Sequence, residues 1–182
     1  MVDRQDNAIV RRCLKGETGV FKLLVDKYQK PIYNLAFRMT KNLEDAEDLT
    51  QTVFIKAFQK LDTFRFNYKF FSWIYRIAVN ESLNFLNQRK RLTDLDSKII
   101  STEKTPEEIV QQEELNRQIQ DGLMVLNPDY RILIILKHFH MFSYREIAFI
   151  VDIPEKKVKS RLFTARQLLK DALMEKGFRR HA

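Results

Sequence analysis

Apolar positions recur at three- and four-residue steps along nearly the whole chain, the spacing of one buried face of an α-helix. Between Val20 and Thr40, Phe21, Leu24, Val25 and Tyr28 follow that step. Pro31 then opens a second run through Ile32, Leu35, Ala36 and Met39, which predicts a bend or a fresh helix start. Asn42 followed by Asp45 reads as an N-cap with an acidic third position, opening a helix to about Leu61. A further helix is predicted over roughly Ser72 to Arg89. The segment 92–116 has no aromatic residue and a Thr-Pro break, and reads as a linker that winds into the next helix after Pro106.

The carboxyl-terminal part begins near Glu113. Asn127-Pro128-Asp129 predicts a helix start, and the flanking helical spacing favours helix over a buried strand for Ile132 to Leu136. Ser143-Tyr-Arg-Glu146 is a capping-box pattern for a short helix through Val151. After a tight connection at Asp152-Ile153, Pro154 begins a long helix to about Met174. The expected fold class is all-α, with two small helical modules at 1–91 and 113–182 and a linker at 92–112.

Composition narrows the class further. The 182 residues include only four Gly and four Pro, against collagen-like, disordered or turn-rich all-β architectures. One cysteine, Cys13, permits no intrachain disulfide and fits a reducing compartment. No apolar run approaches a membrane span, and the amino terminus lacks the apolar stretch of a secretory signal, so a cytoplasmic protein is expected. The net charge of +8 is unevenly spread. Residues 1–91 carry 17 basic and 10 acidic side chains, residues 92–117 carry 3 and 7, and residues 118–182 carry 12 and 7. Two basic blocks around an acidic stretch suit two modules facing a polyanion, though a generic basic surface would also look so.

Three constellations bear on function. In 143–170, a short capped helix, a tight turn and a second helix form a helix-turn-helix arrangement. Val158, Leu162, Ala165, Leu169 and Ala172 make an inward stripe on the second helix. Lys156, Lys159, Ser160, Phe163, Gln167 and Lys170 lie opposite, with Thr164 and Arg166 at the margins. Such a face suits phosphate anchoring and base-edge contact in a major groove; a solvated bundle helix is the alternative. In FRFNYKFFSWIY, residues 64–75, seven of twelve residues are aromatic, with Arg65, Lys69 and Arg76 interleaved or adjacent. Aromatic faces stack on unpaired bases while cations hold the backbone, although some of these rings must fill a core. Trp73, Arg76, Asn80, Asn84 and Asn87 then share one helical arc that ends in Gln88-Arg-Lys-Arg91.

The third constellation, NLEDAEDLTQTVF at 42–54, is acidic. Carboxylates in a first turn meet the helix dipole favourably, which accounts for Glu44 and Asp45. Asp48, Thr52 and Gln59 continue a polar strip with Ile55 among them, suited either to a protein partner or to solvent. Catalytic and metal-binding patterns are absent: His138 and His140 point apart on a helix, and no HExxH, P-loop or GxSxG occurs. No cofactor and no enzymatic activity are expected.

The motifs FKLLVDKYQKPIYNLAFRM, EDAEDLTQTVFIKAFQKLDTF, FSWIYRIAVNESLNFLNQRKR and SYREIAFIVDIPEKKVKSRLFTARQLL, in this order, resemble bacterial sigma-70 family factors of the extracytoplasmic-function (ECF) group. The resemblance covers about residues 5–91 and 112–175. It implies that Asp45, Asp48, Leu49, Gln51, Thr52 and Phe54 meet the clamp coiled coil of core RNA polymerase, with the flap as a further contact. It implies that Phe64, Lys69, Trp73, Tyr75, Arg76, Asn80 and Asn84 read and melt the minus-ten element. Lys156, Lys157, Lys159, Ser160, Arg161, Phe163, Thr164 and Arg166 would read the minus-thirty-five element.

An anti-sigma protein is a further implied partner; no small-molecule substrate or membrane embedding is. Phe66 stands where Gly usually follows Phe-Arg, Lys69 where a small hydroxyl residue is frequent, and Thr52 replaces a common Glu. Asp152 occupies a turn position usually given to Gly, Glu155-Lys-Lys157 replaces a typical Val-Gly-Thr, and Thr164 a typical basic residue. The alternatives are a helix-turn-helix regulator that binds duplex DNA without polymerase, and a helical adaptor that binds only protein.

Overall fold

The computed structural model describes residues 4–95 and 112–175. Among these there are eight α-helices and no strand. The amino-terminal unit holds α1 (Arg4–Leu14), α2 (Phe21–Thr40), α3 (Leu43–Gln59) and α4 (Phe70–Leu95). The carboxyl-terminal unit holds α5 (Gln112–Val125), α6 (Pro128–Ile134), α7 (Tyr144–Val151) and α8 (Glu155–Glu175). Most of the expected linker, and His181, lie outside the described residues. Helix α4 runs four residues into the segment read as linker.

Helix α2 corrects one expectation. It passes through Pro31 without interruption. Phe21, Leu24, Tyr28, Ile32, Leu35 and Met39 are all buried and keep the three/four step in phase across the proline. Continuous packing along that stripe outweighs the one hydrogen bond that Pro31 cannot donate. The helix ends at Lys41, in the left-handed conformation with φ 55°, and Asn42 then caps α3 by accepting from the Asp45 amide at 2.8 Å.

In the carboxyl-terminal unit Asn127 caps α6 through the Asp129 amide at 2.9 Å, with Pro128 in the first turn. The apolar run Ile132–Leu136 is buried on every side, each residue at 2% exposure or less, which is why it carries no amphipathic signal. From Ile135 to Phe139 the helix widens to π geometry, the His140 amide donating to Ile135 at 3.2 Å. The Ser143–Glu146 capping box forms with both reciprocal bonds. Asp152 takes the left-handed turn position at φ 55°, a conformation its short polar side chain tolerates.

The two units pack against each other, and one buried apolar cluster runs through both. Arg131 anchors this joint. Its side chain is 7% exposed and donates to the carbonyls of Leu123, Met124 and Leu126, and to that of Met39 at the end of α2. One guanidinium thus serves orphan carbonyls at the carboxyl ends of helices from both units. Burial lowers its pKa to about 10, which leaves it charged at neutral pH.

Candidate nucleic-acid interface

Helix α8 turns Val158, Leu162, Ala165 and Ala172 inward, all at 6% exposure or less. Leu169 is half-buried beside them. Opposite, Lys156, Lys157, Lys159, Ser160, Arg161, Phe163 and Thr164 are exposed, and Arg166 is half-buried. Phe163 is 71% exposed in the middle of this cationic face. A single exposed ring is ordinary on a protein surface; its setting among Lys156, Lys159 and Arg166 is what distinguishes it. Lys159 pairs with Glu155 at 3.0 Å, and Arg166 donates to His138 at 3.2 Å. His138 is held below the ordinary histidine value, first by burial and then by the charges of Arg166 and Lys137.

On α3, Asp48 and Gln51 are exposed, as is Ile55 at 57%, and Thr52 is half-buried. Leu49 and Phe54 differ from the contact role expected of them. Leu49, 5% exposed, packs with Ala36 and Ala46, and Phe54, 8% exposed, belongs to the main core. Their three/four spacing from Ala46, Val53 and Ala57 assigns them to the buried stripe. Asp45 is engaged by Arg89 of α4 at 2.6 Å, which ties the start of α3 to the basic end of α4.

The aromatic segment before and along α4 divides into core and surface. Phe64 and Phe70 are buried, and with Phe66 and Trp73 form edge and tilted ring contacts at 5.3–5.6 Å. Phe64 is therefore a core residue, contrary to its expected place at the minus-ten surface. Asn80, Asn84 and Asn87 are exposed in a row.

Of that arc, Trp73 packs on Phe64 and Phe70, while Arg76 faces the carboxyl-terminal unit together with neighbouring residues of α4 and its approach. Lys69 binds Glu146 at 2.8 Å, and Arg76 binds Asp152 at 2.8 Å and lies over the Phe149 ring. Tyr68 stacks on Phe149 at 4.6 Å, and Phe71 on Phe142 at 5.3 Å. Tyr75, 4% exposed, meets Phe142 edge-on and bonds His140 Nδ1 at 2.9 Å. Tyr75 also departs from expectation, since in this arrangement no base can reach it. Burial raises its hydroxyl above the usual tyrosine value and, with the charge of Arg38, lowers His140 to about 4, so both are neutral at pH 7. Burial alone would raise Glu146; hydrogen bonds from Lys69 and Ser143 outweigh it and hold the carboxyl below its ordinary value.

Family models described as Sigma-70 region 2 and Sigma-70 region 4 match residues 24–92 and 116–169. The chain is 34% identical over 178 residues to the ECF RNA polymerase sigma factor SigW of Bacillus subtilis, covering 91% of this chain and 95% of that one. This chain belongs to the ECF RNA polymerase sigma factors. Identity to the ECF RNA polymerase sigma-E factor of Escherichia coli is 36% over 176 residues, 90% of this chain and 92% of that one. The fold of this sigma factor is similar to that of RpoE from Bartonella quintana, solved with the anti-sigma factor NepR. The TM-score is 0.73 at 26% identity, over 85% of this chain and 96% of that one.

Sequence reasoning missed the joint. Arg131, Phe142, Glu146, Phe149 and Asp152 each contact the amino-terminal unit, yet none was among the residues expected to face DNA or polymerase. Periodicity reports that a residue is buried, not against which unit. One signal was present: ILIIL, apolar all round, announces a helix enclosed by more neighbours than a four-helix unit supplies. Among the described residues no cluster of His, Cys, Asp or Glu could hold a metal, and no helix is long and apolar enough to cross a membrane.

Proposed function

We propose that this sigma factor reads promoters through two separate surfaces, only one of which is wholly available in the packed arrangement. The face of α8 from Lys156 to Arg166 enters the major groove of a minus-thirty-five element; the exposed Phe163 among lysines carries this reading. Lys69, Trp73, Arg76, Asn80 and Asn84 contact the minus-ten element and its unpaired bases, with Tyr75 joining them once the units part. Asp48, Gln51 and Thr52, flanking the exposed Ile55, dock on the clamp coiled coil of core polymerase, and the flap receives the carboxyl-terminal unit. Leu49 and Phe54 position that surface from beneath.

Strand separation is then driven by binding. Unstacking costs a few kcal/mol per step, offset by base stacking and amide contacts. The factor acts in the cytoplasm as an initiation factor without catalysis of its own, and an anti-sigma protein that binds the packed form would silence it. Transcription in vitro with core polymerase across a promoter library tests this reading. Initiation that depends on the sigma factor and falls with Asn84→Ala and Lys159→Ala is expected. Tight binding to a palindromic duplex with no effect on polymerase would overturn it in favour of a stand-alone regulator.

A further inference from the structure

The joint between the units forms an open pocket that DNA reading does not use. Its volume is about 350 Å3, and its walls are Lys30, Pro31, Asn34 and Arg38 of α2, with Phe139 and His140 from the other unit. No carboxylate lines it. Lys30, Asn34 and Arg38 stand at successive four-residue steps, so their side chains form one row along about 12 Å of helix. The Arg38 guanidinium lies on the Phe139 ring at 3.6 Å, and among the described residues it forms no ion pair. Neither does Lys30. Within the same walls, His140 Nε2 is buried without a hydrogen-bond partner.

A half-buried guanidinium without a counter-charge has lost solvation that an anion in the pocket would replace. The Phe139 ring behind the guanidinium limits its freedom and leaves its remaining donors for an oxyanion. The acceptors wanted along the row number at least two, since Lys30 and Arg38 stand at its ends with the Asn34 amide between them.

We propose that this pocket binds a small ligand carrying a chain of phosphates, and that the ligand holds the two units together. The second part follows from the walls: α2 supplies the cations and the π-helical turn supplies the cover, so the complete site exists only while the units are packed. It rests on the reading that separation precedes minus-ten binding, and makes the sigma factor answerable to a metabolite as well as to a protein.

Calorimetric titration of the full chain with inorganic pyrophosphate, and separately with ATP, tests the site without polymerase or DNA, so its outcome is independent of the promoter-reading assay. One-site binding is expected, weakened about tenfold or more by Arg38→Gln and by Lys30→Gln. Asn34→Asp, an exposed substitution that leaves the fold intact, should weaken it similarly by placing a negative charge in the row. Lys157→Gln with Lys159→Gln, on the DNA-facing helix, should leave binding unchanged. Equal affinities for pyrophosphate and ATP assign recognition to the phosphates alone, and tighter ATP binding adds the nucleoside. Binding indifferent to Asn34→Asp and Arg38→Gln, abolished by the α8 double variant, or matched by sulfate at equal ionic strength would overturn the proposal.

Discussion

Reversing the charge of Lys69 should loosen the joint by a measurable amount. Its ammonium sits 2.8 Å from Glu146, with the two side chains 35% and 25% exposed. At an effective dielectric near 20 the bare attraction is about 6 kcal/mol, and desolvation with lost side-chain entropy reduces the net to about 1 kcal/mol. Lys69→Glu removes that and sets two carboxylates together, so the closed arrangement should lose about 2 kcal/mol, or about thirtyfold in its ratio to the open one. The assay is the labelling rate of a thiol placed in the joint, Phe71→Cys in a Cys13→Ala background, under conditions where the rate follows the open population. Adding Glu146→Gln should slow labelling again, because Gln keeps the capping box while removing the repulsion. A Lys69→Glu rate within about threefold of the parent, or no recovery with Glu146→Gln, would refute the reasoning.

The other predictions concern pH, DNA and local stability. Because His140 titrates near 4 when packed and near 6.5 when free, closure should weaken as pH falls from about 6.5 to 4, by up to about 3 kcal/mol. Glu146, held low in the packed form, adds a loss in the same direction only once the pH falls below its ordinary value of about 4.5; thiol labelling down to that point measures the His140 part. Lys159→Ala should lower the salt dependence of minus-thirty-five binding by about one unit of slope, read from binding at several salt concentrations. Ser143→Ala should destabilise the carboxyl-terminal unit by about 1 kcal/mol through the lost cap, visible in denaturant midpoints. Asn84→Ala, at an exposed position, should impair open-complex formation while leaving core-polymerase binding unchanged, as separate footprinting and co-elution would show.

How far the chain could be read from its sequence depended on the range of the interaction. Caps and turns are decided within a few residues, so Asn42, Asn127, the Ser143–Glu146 box and the Asp152 turn could be located from local chemistry. The inward stripe of α8 followed from helical phase. Pro31 misled because its local penalty was weighed without the stripe from Tyr28 to Met39, which continues in phase beyond it. Phe64 and Leu49 misled for a related reason: a resemblance carries a motif as a block, whereas burial divides that block residue by residue. The joint is non-local throughout. Lys69 and Glu146 are 77 residues apart, and nothing in either neighbourhood names the other.

The joint draws on side chains that the proposed minus-ten surface needs, and on that reading this overlap would determine how the two states compete. Lys69 and Arg76 cannot hold Glu146 and Asp152 while they hold phosphates, and the rings of Tyr68, Phe71 and Tyr75 cannot pack on Phe149 and Phe142 while they pack on bases. Carboxylates and aromatic rings from α7 and its flanking turns therefore present to α4 the two chemistries that single-stranded DNA would present. The contacts of closure are exchanged for similar ones on opening, so the difference between the states is smaller than either set alone. A small difference is what a partner can shift: about 5.5 kcal/mol of differential binding carries a two-state equilibrium from one extreme to the other. Core polymerase, engaging α3 as proposed, would supply it by holding the units at a separation that packing forbids. On this reading its grip on both units at once would be the step that exposes the minus-ten residues, and a fragment ending at Leu95 should bind single-stranded DNA more tightly than the whole chain does.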